Sequence, residues 1–320
     1  MPRIALHCSH EQIPPSRLLR SVRRAEQAGF DGAMSSDHFA PWSERQGESG
    51  FAWSFLGAAM ASTELPFGVV NAPGQRYHPA IIAQAAATLG EMFPGRLWVA
   101  LGTGENSNEH ITGDPWPAKA ERNARLRECV DVMRALFAGE EVTHDGLVTV
   151  DRARLYTRPQ QPPALIAAAV SVQTARWAGS WADGLATVNA PAEHLRRMID
   201  AFHDGGGPPS GPLVLQVHLS WAQTDEEALR IAHDQWRTNL FDPPVCWDVA
   251  TVEEFDALAR DVTPDDVRAK VLVSSDLEQH VQWLRELAQL GFDEIALHHV
   301  GEDLDPFIDA FGEHVLPVLR

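Results

Sequence analysis

Along the chain, short apolar or β-rich runs alternate with longer stretches whose apolar residues recur at helical spacing. Ile4 to His7 precedes Ser16 to Ala28, Gly32 to Ser35 precedes Trp53 to Ala61, and Phe67 to Asn71 precedes Pro79 to Met92. Further on, Leu97 to Leu101 precedes a charged helix from Ala118 to Ala138. Ala164 to Val170 precedes Val172 to Gly179, and Gly184 to Val188 precedes Ala192 to His203. Leu213 to Trp221, Val271 to Ser274 and Glu294 to His299 complete the strand candidates. Strands separated by helices need crossover connections and therefore pair in parallel. About eight such units close into a (β/α)8 TIM barrel, whose reactive groups gather at the C-terminal strand ends.

Three stretches interrupt the alternation. Residues 140–156 read as a hairpin around Asp145-Gly146, with Val142, Val148, Val150 and Leu155 as its apolar positions, inserted after strand four and lying over the barrel. The run from Gly205 to Pro212 is a connector in which glycine and proline break any regular element. Residues 237–270, with Asp242-Pro243-Pro244 and two short acidic helical patterns, form an insertion after strand seven, read as a lid or a partner surface or as an insertion without function. A single domain spanning residues 1–320 is the expectation, since barrels of this kind commonly reach that length.

Charge and cysteine usage narrow the partners. With 44 acidic against 26 basic residues, the formal net charge of −18 repels phosphate backbones and anionic lipid, which argues against nucleic acid and membrane. A small-molecule substrate is expected instead. Cys8, Cys129 and Cys246 are few, odd in number and far apart, as in a reduced cytoplasm rather than a disulfide framework. The opening residues lack the apolar stretch of a signal peptide, and no window approaches the roughly 20 apolar residues that cross a bilayer, so a cytoplasmic location is expected.

Two polar clusters close apolar runs. The first, Asp37 to Trp42, brings together a carboxylate, an imidazole and an indole; the second, Gly102 to Glu109, places Glu105 after Gly-Thr-Gly. A histidine at a strand end is held in place and titrates near neutrality, which makes His38 a candidate general base. Trp42 offers a flat face for an aromatic group. The bland alternative makes Asp37 a turn residue, His38 partly buried and Trp42 core. At Gly104 the missing side chain lets a ligand approach the backbone, so that Glu105 lies against it; the alternative is a tight turn with Glu105 and Glu109 facing water. His7 to Glu11 forms a third rim loop, and if Glu11 and Glu105 converge, repulsion keeps one of them partly protonated. After Ala167-Ala168-Ala169-Val170, Ser171 is a good N-cap for the helix that follows.

Fourteen histidines call for a metal test. Two ligands on one strand face need a spacing of two, whereas His7 and His10 are three apart and His298 and His299 are adjacent, so neither pair points one way. No Gly-x-Ser-x-Gly elbow and no Gly-x-x-x-x-Gly-Lys-Ser/Thr loop occurs.

Three ordered motifs carry a resemblance: Ser36-Asp37-His38-Phe39-x-Pro41-Trp42, Arg76-Tyr77-x-Pro79-Ala80-x-Ile82-Ala83-Gln84, and Gly102-Thr103-Gly104-Glu105-x-x-Asn108-Glu109. Together they resemble the luciferase-like barrel oxidoreductases, nearest the branch containing glucose-6-phosphate dehydrogenases that use deazaflavin coenzyme F420. The likeness runs from about Ile4 through Val188 and resumes around Lys270 to Arg320. It implies that His38 removes a substrate hydroxyl proton, that Trp42 steadies the intermediate and that Glu105 delivers a proton to the coenzyme, with Glu11 nearby. It implies cofactor contacts at Asp37, Gly104 and Asn108. It also implies a bent third strand under the cofactor ring at Val69-Val70-Asn71, often with a non-prolyl cis peptide, and a cofactor-phosphate contact around Ala167 to Val170. A homodimer through barrel helices is the family habit.

The departures bear on substrate and cofactor. Where the resemblance places Gly-Gly after strand five, this chain has Ala169-Val170; where it places a substrate-gripping lysine, the match falls near Ala190. Only Lys270 keeps a positive charge at a substrate-phosphate position, so hexose phosphate is disfavoured. Similar members use ordinary FMN, and FMN and coenzyme F420 stand level as cofactors, with FMN opening monooxygenase chemistry. The rival readings are a metal-dependent TIM-barrel hydrolase and a flavin-binding protein without catalysis.

Overall fold

The structure, a computed structural model, describes all 320 residues. Strands β1 (Arg3–Cys8), β2 (Gly32–Ser36), β3 (Phe67–Asn71) and β4 (Leu97–Leu101) alternate with helices α1 (Pro15–Ala28), α2 (Ala52–Ser62) and α3 (Pro79–Met92). A short α4 (Asn106–Glu109) and the long α5 (Lys119–Ala138) follow, then the hairpin β5 (Val142–Asp145) and β6 (Thr149–Ala153). The alternation resumes with β7 (Ala164–Ala168), α6 (Val172–Ala178), β8 (Leu185–Val188), α7 (Ala192–Asp204), β9 (Leu213–Ser220) and α8 (Asp225–Trp236). Beyond α8 come α9 (Val245–Asp248), α10 (Val252–Leu258), α11 (Pro264–Arg268), the two-residue β10 (Leu272–Val273) and α12 (Leu277–Ala288). The chain ends with β11 (Glu294–His299), α13 (Leu304–Ala310) and α14 (Leu316–Leu319).

Strands β1, β2, β3, β4, β7, β8, β9 and β11 pair in parallel and close on themselves through β8–β9 and β11–β1, giving the expected (β/α)8 barrel. The candidate at Val271 to Ser274 stands outside the ring: β10 pairs only with the end of β9, Leu272 opposite Leu219 and Val273 opposite Ser220.

Local chemistry sets the helix ends. Pro15 opens α1, where its missing N–H costs nothing, and Gly29 closes it at φ +95° with its N–H returned to the Glu26 carbonyl. Ser171 caps α6 as expected, accepting from the Thr174 amide at 3.2 Å.

Strand alternation divides the core into two layers. Leu6, Val69, Val99, Leu101, Ala167, Leu215 and Leu297 point outward and pack against the helices. Ala5, Met34, Trp98, Ala100, Ile166, Ala186, Val214 and Ala296 point inward and plug the barrel. Trp98 fits only because its neighbours are small. A Cβ added at Gly68 would stand 1.9 Å from Trp98 Cζ2, so the indole occupies the space a side chain on β3 would need.

The insertions go to different places. The 140–156 hairpin forms as read but corrects its expected position: it lies beside α5, with Glu128 accepting from His144 Nε2 and the Leu147 amide, and lines no part of the mouth. Residues 237–270 stand at the mouth, with Leu240, Phe241, Pro243 and Trp247 lining its cavity. No helix is long and apolar enough to cross a membrane.

Gly68→Ala is expected to destabilise the barrel by about 1–3 kcal/mol through overpacking against Trp98, read as a lower urea midpoint at unchanged slope.

Candidate active site

The C-terminal mouth of the barrel holds a cavity of about 620 Å³. The loops after β1, β2 and β4 deliver Glu11, His38 and Glu105 to it, so all three rim clusters meet. His38 Nδ1 donates to Glu11 Oε1, and Ser9 Oγ donates to the other carboxylate oxygen at 2.9 Å. The Glu11 carboxylate therefore fixes the ring and its tautomer, leaving Nε2 toward the cavity, 3.8 Å from Glu105 Oε2. Trp42 stands edge-on to His38, with centroids 5.6 Å apart, and is backed by Phe255 of α10 at 5.0 Å.

Burial and charge separate the protonation states of these groups. Burial alone would lower the pKa of His38, but the charge and hydrogen bond of Glu11, with Glu105 behind them, raise it to about 9. Burial would raise Glu11, and the adjacent imidazolium overrides it, holding the carboxyl down at about 2. Glu105 is raised, first by burial and then by the charges of Glu11 and Glu109, only partly offset by His38. The two glutamates thus converge and diverge in pKa as anticipated, with Glu105 the one that holds a proton more readily.

A second cluster fastens the loops. The Arg76 side chain donates to the Asp37 carbonyl at 2.7 Å and lies 3.8 Å from Asp37 Oδ2 and 3.5 Å from Glu109 Oε1. Its backbone amide donates to Glu109 Oε2 at 2.7 Å, and Asn71 Nδ2 donates to Asp37 Oδ2 at 2.8 Å. Glu109 is buried, not facing water. Asn108 lines the cavity but spends its amide on the frame, accepting from the Phe39 and Ala40 amides and donating to Glu105 Oε2 at 3.2 Å. Gly104, at φ +77°, is required: a Cβ there would lie 2.9 Å from Glu109 Cγ.

Several expectations are corrected. Val69 and Ala167 point outward into the helix-side core, opposite to their strand neighbours Val70 and Ala168, which line the cavity together with Asn71, Ala169 and Val170 at the strand ends. The peptide bonds of Val69-Val70-Asn71 are trans, the one cis bond of the chain being Pro243–Pro244. Lys270 reaches the cavity, but its ammonium is paired with Asp242 at 3.0 Å.

Sequence reasoning also missed the floor. His7 and His298 stack at 4.1 Å, with His218 and Trp236 beside them, and all four line the cavity. Burial lowers the pKa of His7 to about 3 and that of His218 to about 4, and His298 falls well below its usual value for the same reason. These rings are neutral. The parity of Gln216, His218 and His298 on their strands was the available signal for an inward-facing set. No three His, Cys, Asp or Glu side chains are arranged to hold a metal ion. Arg76, quoted within a motif, and Lys119 carried no sequence signal of their own.

A flavin or deazaflavin presents a flat polar ring, and the cavity fits one. Asp37 and Asn71 line the cavity, each with one buried side-chain oxygen that has no partner, while Val70 and Ala168 offer apolar surface.

The parallel barrel thus carries at its C-terminal mouth a carboxylate-held histidine beside a buried glutamate whose pKa is raised. The luciferase-like monooxygenase family model matches residues 1–294, and the chain belongs to that family. An F420-dependent glucose-6-phosphate dehydrogenase of Intrasporangium calvum is 35% identical, covering 100% of this chain and 99% of its own. One of the same name from Nakamurella multipartita is 34% identical, covering 99% and 96%. An F420-dependent secondary alcohol dehydrogenase in complex with an F420-acetone adduct superposes with a TM-score of 0.92 at 31% identity, covering all of both chains. A coenzyme F420 dependent tetrahydromethanopterin reductase of Methanopyrus kandleri, 18% identical with a TM-score of 0.79, shares the fold over 100% of this chain and 99% of its own. The protein is a flavin- or deazaflavin-dependent oxidoreductase of that family, which sets the hydrolase and non-catalytic readings aside.

Arg76→Met is expected to cost about 3–5 kcal/mol by leaving Asp37 and Glu109 buried without a cation, measured as a fall in unfolding free energy in urea.

Proposed function

We propose that this protein is an F420-dependent dehydrogenase interconverting a small alcohol and its carbonyl compound. The observation that carries the reading is His38 Nε2, aimed into the cavity by a carboxylate bound at Nδ1. A neutral imidazole so held is a base for a substrate hydroxyl, and Glu11 stabilises the charge it acquires. Glu105, held neutral more readily, handles the second proton, and Trp42 forms a wall beside the imidazole. When bound, the deazaflavin supplies the two-electron hydride chemistry. Asp37, Val70, Asn71 and the Ala168 to Val170 segment would hold it.

Both glucose-6-phosphate and secondary-alcohol enzymes are similar to this chain, and the cavity favours the second kind of substrate. Lys270 is the one lysine left at a substrate-phosphate position and is paired with Asp242, Ala190 stands where a gripping lysine is matched, and Trp236, Leu240, Phe241 and Pro243 contribute an apolar wall. A cytoplasmic protein acting on a small molecule, assembled as a homodimer, completes the reading.

Titration with F420 and with FMN, followed by absorbance and fluorescence, tests the cofactor; tighter binding of FMN would replace the proposal with flavin chemistry. His38→Ala is expected to lower kcat by about 10²–10⁴ while F420 affinity stays unchanged, and full activity in that variant would remove the base assignment. Because His38 must be neutral to accept a proton and its pKa is raised to about 9, kcat/KM for alcohol oxidation should climb with pH to a plateau above that value. Glu11→Gln takes away the charge that raises the ring, leaving burial to lower it, so the midpoint should move to lower pH.

A further inference from the structure

Beside the main cavity, under α9, lies a second pocket of about 270 Å³ that shares Lys119 and Trp247 with it. Two cations face this pocket. Lys119 Nζ donates to Thr103 Oγ1 at 2.8 Å and lies 4.4 Å from the Trp247 ring centroid. Arg122 has a side chain only 3% exposed, donates from Nη1 to the Pro117 carbonyl at 2.7 Å and lies against Trp116 at 4.2 Å. Its Nε is buried with no partner.

The charges do not balance. Asp248 is the one carboxylate of the pocket; it is 3.9 Å from Arg122 and already accepts from the Trp116 indole at 2.9 Å. Burial, and then the like charge of Arg122, lower Lys119 to about 8. Both cations belong to the first turn of the 20-residue α5, whose N-cap, Ala118, has no side-chain acceptor, so the positive helix end adds to the same field. Two poorly compensated cations, an orphaned guanidinium N–H and flanking indoles lack an acceptor with negative charge.

We propose that Lys119 and Arg122 form a subsite for a carboxylate or phosphate carried on the distal part of a molecule whose reacting end occupies the main cavity. Lys119, present in both spaces, is the link between them. The oxyanion has two possible sources: the acidic side chain of the cofactor, or an acid-bearing substrate. Only the naming of these sources rests on the dehydrogenase reading; the anion site stands on its own geometry.

Calorimetric titration of the protein with glutarate and with inorganic phosphate tests the site directly. At least one should bind, about tenfold or more weaker in Lys119→Met and in Arg122→Met, with Lys119→Arg restoring affinity. Parallel thermal melts identify any variant that has failed to fold, in which case the remaining variant and Lys119→Arg carry the comparison. Absence of anion binding to the unaltered protein, or equal binding by folded Lys119→Met, overturns the proposal and leaves the pair as a fastening for α9. Fluorescence titration with F420, and with its ring-and-ribityl fragment lacking phosphate and glutamates, distinguishes the sources. If the cofactor supplies the oxyanion, Lys119→Met weakens F420 but not the fragment. If the substrate does, both cofactor affinities hold and the KM for a hydroxy acid rises more than that for a neutral alcohol. Anion binding in a protein that takes up neither ring compound would retain the site and refute the dehydrogenase reading alone.

Discussion

One buried guanidinium ties three rim loops of the barrel to each other. Arg76, after β3, holds the Asp37 backbone and carboxylate beyond β2 and the Glu109 carboxylate beyond β4, and Asn71 completes the bond pattern on Asp37. These groups are almost wholly excluded from water, where charge pairs are held strongly only when each has its partner. The positions of His38 and Glu105 follow from that frame, since each sits on a loop Arg76 anchors. Asn108 then bridges the same two loops from the cavity side.

The frame explains why one site supports opposite protonation preferences within a few ångströms. Glu11 and Glu105 both approach the same imidazole, one hydrogen-bonded to Nδ1 and the other 3.8 Å from Nε2. The closer carboxylate is stabilised as an anion, and the farther one, buried and facing two other acids, is pushed toward its neutral form. The cavity floor adds no competing charge, because burial keeps His7, His218 and His298 neutral. A glutamate of raised pKa and a carboxylate-held imidazole thus stand together above a floor of neutral rings.

The insertion 237–270 gives the mouth its other wall. Among its attachments to the barrel, Asp256 takes the Ser43 hydroxyl at 2.7 Å and the Arg45 guanidinium at 3.0 Å, and Asp248 takes the Trp116 indole. Ahead of these anchors in the chain it presents Phe241, Pro243 and Trp247 to the cavity. The same chain segment therefore sets the polarity of the substrate space and roofs the cationic pocket at the start of α5.

The alternation of apolar runs and helical stretches was enough to read a closed barrel of about eight parallel strands, with one candidate too many at Val271 to Ser274, because both periodicities are written locally. The three rim clusters were readable for a related reason: polar residues that end an apolar run must stand at a strand terminus, so Glu11, His38 and Glu105 were placed on one rim before their contacts were known. Val69 and Ala167 show the first limit, since a run of apolar residues does not say which parity faces inward until the barrel fixes it. The pairing of Lys270 with Asp242, the burial of Glu109 against Arg76, and the meeting of Lys119 with Arg122 and two indoles show the second. Each joins residues whose partners are distant in sequence or supplied by another loop, and a charge's partner and burial are properties of the packed space around it, which no local pattern encodes.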